Sequence, residues 1–148
     1  MTKKTLLIIV TLIACSCENF NRKTPIPDTP VSLELYILRD APELVGIGNY
    51  KIYTKPPYIN QYIGFGGILL FHDFNDEISA FDLACPHEAT STIRIDSIAD
   101  GGIVTCRQCL TSYDVSFGLG LPTKGVSQFG LRKYKVRTSG DIIRITRN

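Results

Sequence analysis

The alternation of apolar and polar positions predicts a chain of short strands. Val31, Leu33 and Leu35 alternate with Ser32 and Glu34, the period of two that a half-buried strand requires, and they mark the start of a domain. From Asp40 to Tyr62, Pro42, Gly46, Gly48, Pro56 and Pro57 interrupt every regular pattern, which predicts loops with one short strand near Tyr50 to Tyr53. The apolar runs Gly67 to Phe74 and Ile78 to Leu83 bracket Asn75, Asp76 and Glu77, a hairpin whose second strand leads straight into Cys85. Thr92 to Ile98 and Gly102 to Thr105 flank the turn-like Ala99, Asp100 and Gly101, a second hairpin that ends just before Cys106. A third hairpin joins Tyr134 to Arg137 with Ile142 to Thr146 through Thr138, Ser139, Gly140 and Asp141. No pattern supports a helix longer than two turns.

Composition agrees with this reading. The 148 residues are enough for one domain once the dissimilar first 30 are set aside, and 12 Gly, 8 Pro and no Trp favour short strands joined by tight turns. The formal net charge is only +2, so no single-sign field is available to hold nucleic acid, and a nucleic-acid partner is disfavoured.

Lys3 and Lys4 precede the apolar run from Leu6 to Ala14, the order of charge and hydrophobicity of a secretory signal peptide. Nine helical residues rise about 14 Å against a hydrocarbon core of about 30 Å, so the run is too short to span a membrane. Leu12, Ile13, Ala14 and Cys15 resemble the bacterial lipobox, and the resemblance implies a lipid on the Cys15 thiol, which then becomes the mature N-terminus. Acyl chains contribute about 0.8 kcal/mol per buried CH₂, so several of them hold a small domain at a membrane. The expected organisation is a signal peptide over 1–14, a lipidated tether over 15–30 and a domain over 31–148, placed in the bacterial cell envelope on the periplasmic or outer face of a membrane. Cys17 has no evident role.

Four of the seven Cys and His residues form two tight pairs, Cys85 with His87 and Cys106 with Cys109. Thiolates and imidazoles are the ligands that zinc and iron–sulfur iron prefer, and four of them complete either a tetrahedral zinc site or a two-iron cluster. Chemistry alone leaves both metals open. Zinc would make the set a structural clip, although the one-residue spacing of Cys85 and His87 is unusual for zinc. His72, the only other histidine, sits in an apolar strand and reads as structural, and Arg107 and Lys124 read as solvated surface charges.

The same residues resemble the Rieske domain, whose pattern is Cys-x-His followed by Cys-x-x-His. Cys85, His87 and Cys106 match it, and Cys109 stands where the last His is expected. The likeness continues through Leu110, Thr111, Ser112, Tyr113 and Asp114, similar to a Gly-Ser-x-Tyr-Asp segment, and through Gly118, Pro122, Gly125 and the run Leu131 to Val136. The resemblance implies an all-β fold of stacked antiparallel sheets, a small sandwich or barrel with two metal-binding loops. It also implies a 2Fe-2S cluster, with Cys85 and Cys106 on the inner iron, His87 and Cys109 on the outer one, and Thr111 and Tyr113 donating hydrogen bonds to sulfur.

Three positions depart from the pattern. Cys109 adds a negative charge relative to a neutral imidazole, which lowers the potential to a value between the about −150 to +300 mV of His₂ centres and the about −400 mV of four-thiolate clusters. Glu88 and Ala89 stand where a Gly is usual, and Val126 where a Pro is common. Catalytic groups are otherwise missing, and Rieske oxygenases are excluded because their second iron needs two further histidines and a carboxylate. The expected function is one-electron transfer by a membrane-tethered carrier to an unnamed redox partner. The alternative is a non-redox lipoprotein of the same fold that binds zinc or no metal.

Overall fold

The computed structural model describes residues 24–99 and 101–148. The signal peptide, Cys15, Cys17 and most of the tether lie outside the described residues. Eleven strands are present among them: β1 (Val31–Tyr36), β2 (Tyr50–Tyr53), β3 (Tyr62–Ile63), β4 (Ile68–His72), β5 (Ile78–Asp82), β6 (Ile95–Ala99), β7 (Ile103–Cys106), β8 (Ser112–Asp114), β9 (Leu121–Lys124), β10 (Lys133–Ser139) and β11 (Ile142–Thr146). One four-residue helix, α1 (Ile37–Asp40), and a 3₁₀ turn at Pro42–Val45 complete the set.

The larger sheet has the order β2-β4-β5-β10-β11-β1-β3 and curls into a nearly closed antiparallel barrel, and the smaller has the order β6-β7-β8-β9. The fold is all-β, a Rieske-like stack of antiparallel sheets with two loops at one end of the smaller sheet.

Two cores result, and β4 belongs to both. Ile68 and Leu70 point into the barrel with Leu33, Leu35, Ala80, Tyr134, Ile143 and Ile145. Leu69 and Phe71 point the other way, against Val104 and Tyr113 of the smaller sheet and Val115 just beyond β8. Successive side chains of a strand face opposite sides, so a strand buried on both faces reads as an almost unbroken apolar run; all five residues of β4 are buried, and only His72 at its end is polar.

The three expected hairpins are present. The last is tighter than expected: Ser139 pairs with Ile142, so the turn is only Gly140 and Asp141, with Gly140 at φ +58°, where glycine has no steric cost. Residues 24–30, expected as the end of a free tether, are docked instead. Ile26 is 2% exposed, its carbonyl accepts a bond from Arg132 Nη1 at 2.9 Å, and Asp28 pairs with Arg132. One apolar side chain and one arginine outweigh the polar, proline-rich character of the segment, so the packed unit begins before Val31.

Candidate metal centre

Both cysteine loops are built the same way. A strand delivers the first cysteine, whose carbonyl accepts the N–H of the residue four positions on: Ala89 to Cys85 and Leu110 to Cys106, each at 2.9 Å. To close this turn Ala89 and Leu110 adopt left-handed φ values of +51° and +58°. Neither is glycine, so each carries strain at a position where a side chain is disfavoured. The absence of Gly after Glu88, noted from sequence, therefore leaves the loop shape intact at an energetic cost.

The first loop is held by Asp82, fully buried at the end of β5. One of its carboxylate oxygens accepts the N–H of Gly66 and of Ala84 at 2.9 and 2.7 Å, and the other accepts Phe65 N–H at 2.8 Å and the Tyr134 hydroxyl at 2.5 Å. Burial, then the adjoining Asp82 charge, push the Tyr134 phenol upward and keep it protonated as the donor. Sequence reasoning missed Asp82. Its signal was available: a lone carboxylate inside the apolar run Ala80 to Ala84 must be buried with partners.

The loops bring Cys85, Cys106 and Cys109 together, with every pair of sulfurs within 4.8 Å. Cys85 and Cys106 are fully buried and Cys109 is half-buried; all three thiols are free. Cys85 Sγ lies 3.5 Å from Cys109 Sγ. His87 is exposed on the first loop and stands outside this group.

Burial pushes the Cys85 thiol up to about 12, against a bond from the Glu88 backbone that works the other way. Burial also acts upward on Cys109. There it is outweighed by hydrogen bonds from the hydroxyl and backbone N–H of Thr111 and from the two other thiols, so Cys109 is held below its ordinary value.

Thr111 is buried, and its hydroxyl oxygen accepts the N–H groups of Val126 and Ser127, each at 3.2 Å. With its lone pairs taken, its proton is available to Cys109 Sγ at 3.3 Å, where a thiolate accepts it. Gly125 makes this approach possible. At φ +109° a Cβ would lie 2.5 Å from Thr111 Cα. The segment Gly125 to Ser127 is thus a third loop over the site, at the positions Gly125 and Val126 that the family resemblance singles out. Tyr113 is fully buried with its hydroxyl 3.7 Å from Cys85 Sγ, and burial raises its phenol, leaving it a donor.

Arg107 pairs with Asp96 at 3.2 Å, both largely exposed, a pair worth little in stability. Leu110 and Val126, 68% and 59% exposed, form an apolar rim beside Cys109.

The donor chemistry fits a thiophilic metal centre: three sulfurs in a largely water-free pocket, with backbone and hydroxyl hydrogens aimed at them. A tetrahedral metal with 2.3 Å bonds to sulfur sets its ligands about 3.8 Å apart, so the 3.5 Å pair opens by a few tenths of an ångström to admit one metal.

No family model matches the chain, and no curated protein matches it in sequence. Among solved structures the Rieske-like sheet arrangement has a counterpart. The chain is similar to the Sphingomonas yanoikuyae B1 ferredoxin at a TM-score of 0.50 and 16% identity, over 72% of this chain and 94% of that one. At that identity the likeness is one of fold. Among the described residues no helix is long and apolar enough to cross a membrane.

Proposed function

We propose that the protein is an iron–sulfur electron carrier whose centre is a 2Fe-2S cluster held by Cys85, Cys106, Cys109 and His87. The observation that carries this reading is the convergence of three free thiols from two similarly built loops in an all-β fold shared with a ferredoxin. When bound, such a cluster takes up and releases a single electron. The chain's own residues do the rest. Cys85 and Cys106 sit where water is excluded, Thr111 and Tyr113 offer hydrogen bonds to sulfur that favour added negative charge, and Cys109 lies at the surface side of the site between Leu110 and Val126. That apolar rim gives a redox partner a dry contact close to the metal. Lipid attachment at Cys15, in the bacterial cell envelope on the periplasmic or outer face of a membrane, would keep the carrier near membrane-bound partners.

A second reading, one zinc in place of the cluster, would use the same three thiols. Iron, zinc and acid-labile sulfide per chain, measured after anaerobic purification from iron-supplied cells, separate the two. Two irons and two sulfides, lost in Cys85→Ser and Cys106→Ser, are expected. One zinc without sulfide would replace the redox reading with a structural one. Anchoring is tested separately, by incorporation of labelled palmitate that Cys15→Ser abolishes.

A further inference from the structure

The three thiols of the site are unequally accessible. Cys85 and Cys106 are fully buried, whereas Cys109 is half-buried and is the one a small molecule meets first. Cys85 Sγ lies 3.5 Å from Cys109 Sγ, although the two residues are 24 positions apart and stand on different loops. Each sulfur of this pair is in contact with a hydroxyl group, Cys85 with Tyr113 at 3.7 Å and Cys109 with Thr111 at 3.3 Å. A disulfide is about 2.05 Å long, so the pair closes by about 1.5 Å to form one. The Cys106 sulfur lies within 4.8 Å of both.

We propose that Cys85 and Cys109 close to a disulfide in the metal-free protein, and that this bond gates metal loading of the site. A sulfur held in a disulfide is no longer the thiolate that a metal needs, so the closed form withholds two of the four proposed ligands. The gating half rests on the metal-centre reading above; the disulfide half rests on the thiols alone. The oxidant is a small disulfide, a class of reagent suited to an oxidising envelope. Cys109 Sγ attacks one of its sulfurs, breaking that S–S bond, forming a mixed disulfide and releasing one thiol. Cys85 Sγ then attacks Cys109 Sγ and expels the second thiol. The protein gives up two electrons and two protons, and the oxidant leaves as two thiols.

The test uses the full chain, reduced, stripped of metal with a chelator and treated with oxidised glutathione. Remaining thiols are capped with N-ethylmaleimide in denaturant, and the unreduced protein is digested with trypsin. Cleavage after Arg94 and Arg107 puts Cys85, Cys106 and Cys109 on three separate peptides, so any pairing is read from peptide masses. The expected product joins the Cys85 and Cys109 peptides and leaves Cys106 capped, while Cys85→Ser retains glutathione on Cys109. A linkage through Cys106, glutathione retained on Cys109 of the wild type, or three capped thiols would overturn the disulfide. The closed chain should bind zinc at least about tenfold more weakly than the reduced chain and recover on treatment with dithiothreitol. Equal zinc affinity of the two forms overturns the gating. A reduced chain that takes up neither zinc nor iron refutes the metal-centre reading and the gating with it, while the mapped disulfide stands.

Discussion

Replacing Thr111 by Val tests whether the third loop and Cys109 are organised by one hydroxyl. Val matches Thr in shape, so no cavity forms, and the change is confined to hydrogen bonding. It leaves the N–H of Ser127, which is buried, and that of Val126, which is half-buried, without their shared acceptor. A buried donor without a partner costs about 1–3 kcal/mol and a half-exposed one less, so the expected loss is about 2–4 kcal/mol. With a urea m value of about 2 kcal/mol/M, the midpoint falls by about 1–2 M. Thr111→Ser keeps the acceptor and should stay near wild type. The second readout is Cys109. Losing the Thr111 hydroxyl bond lets burial raise its thiol toward the ordinary range, so less thiolate is present at neutral pH and metal-free protein is alkylated by iodoacetamide more slowly. A Val variant as stable as the Ser variant, or unchanged alkylation, would refute the arrangement.

Three further outcomes follow from the site. Cys109→His removes one negative charge at the cluster and is expected to raise the midpoint potential toward the about −150 to +300 mV range of His₂ centres, read by protein-film voltammetry; an unchanged potential would place Cys109 off the metal. Asp82→Asn swaps one carboxylate oxygen for an N–H₂ that faces donors, and should cost about 2–4 kcal/mol in urea denaturation while lowering metal retention during dialysis against a chelator. Ala89→Gly relieves the left-handed φ of +51° and should stabilise the protein by up to about 1 kcal/mol with metal content unchanged, whereas destabilisation would show that the loop is unstrained.

Local pattern determined a good part of this protein. Alternating positions over Val31 to Leu35, and turn residues set between apolar runs at 75–77 and 99–101, encode strands and turns through contacts only a few residues long, so β1 and the hairpins were legible. The two cysteine pairs were legible for the same reason, since each sits within one tight loop. The strands β3, β8 and β9 are too short to show a period, and they exist because a neighbouring strand supplies their ladder. That β4 feeds two cores, that Ile26 docks, and that Asp82, Tyr134 and the Gly125 to Ser127 loop brace the cysteines are decided by residues 15 to 106 positions apart in sequence. The meeting of Cys85 with Cys109, and the exposure of His87 beside them, belong to that level too. Sequence names the groups able to bind metal, while the distances between them depend on how two sheets pack, which no local pattern records.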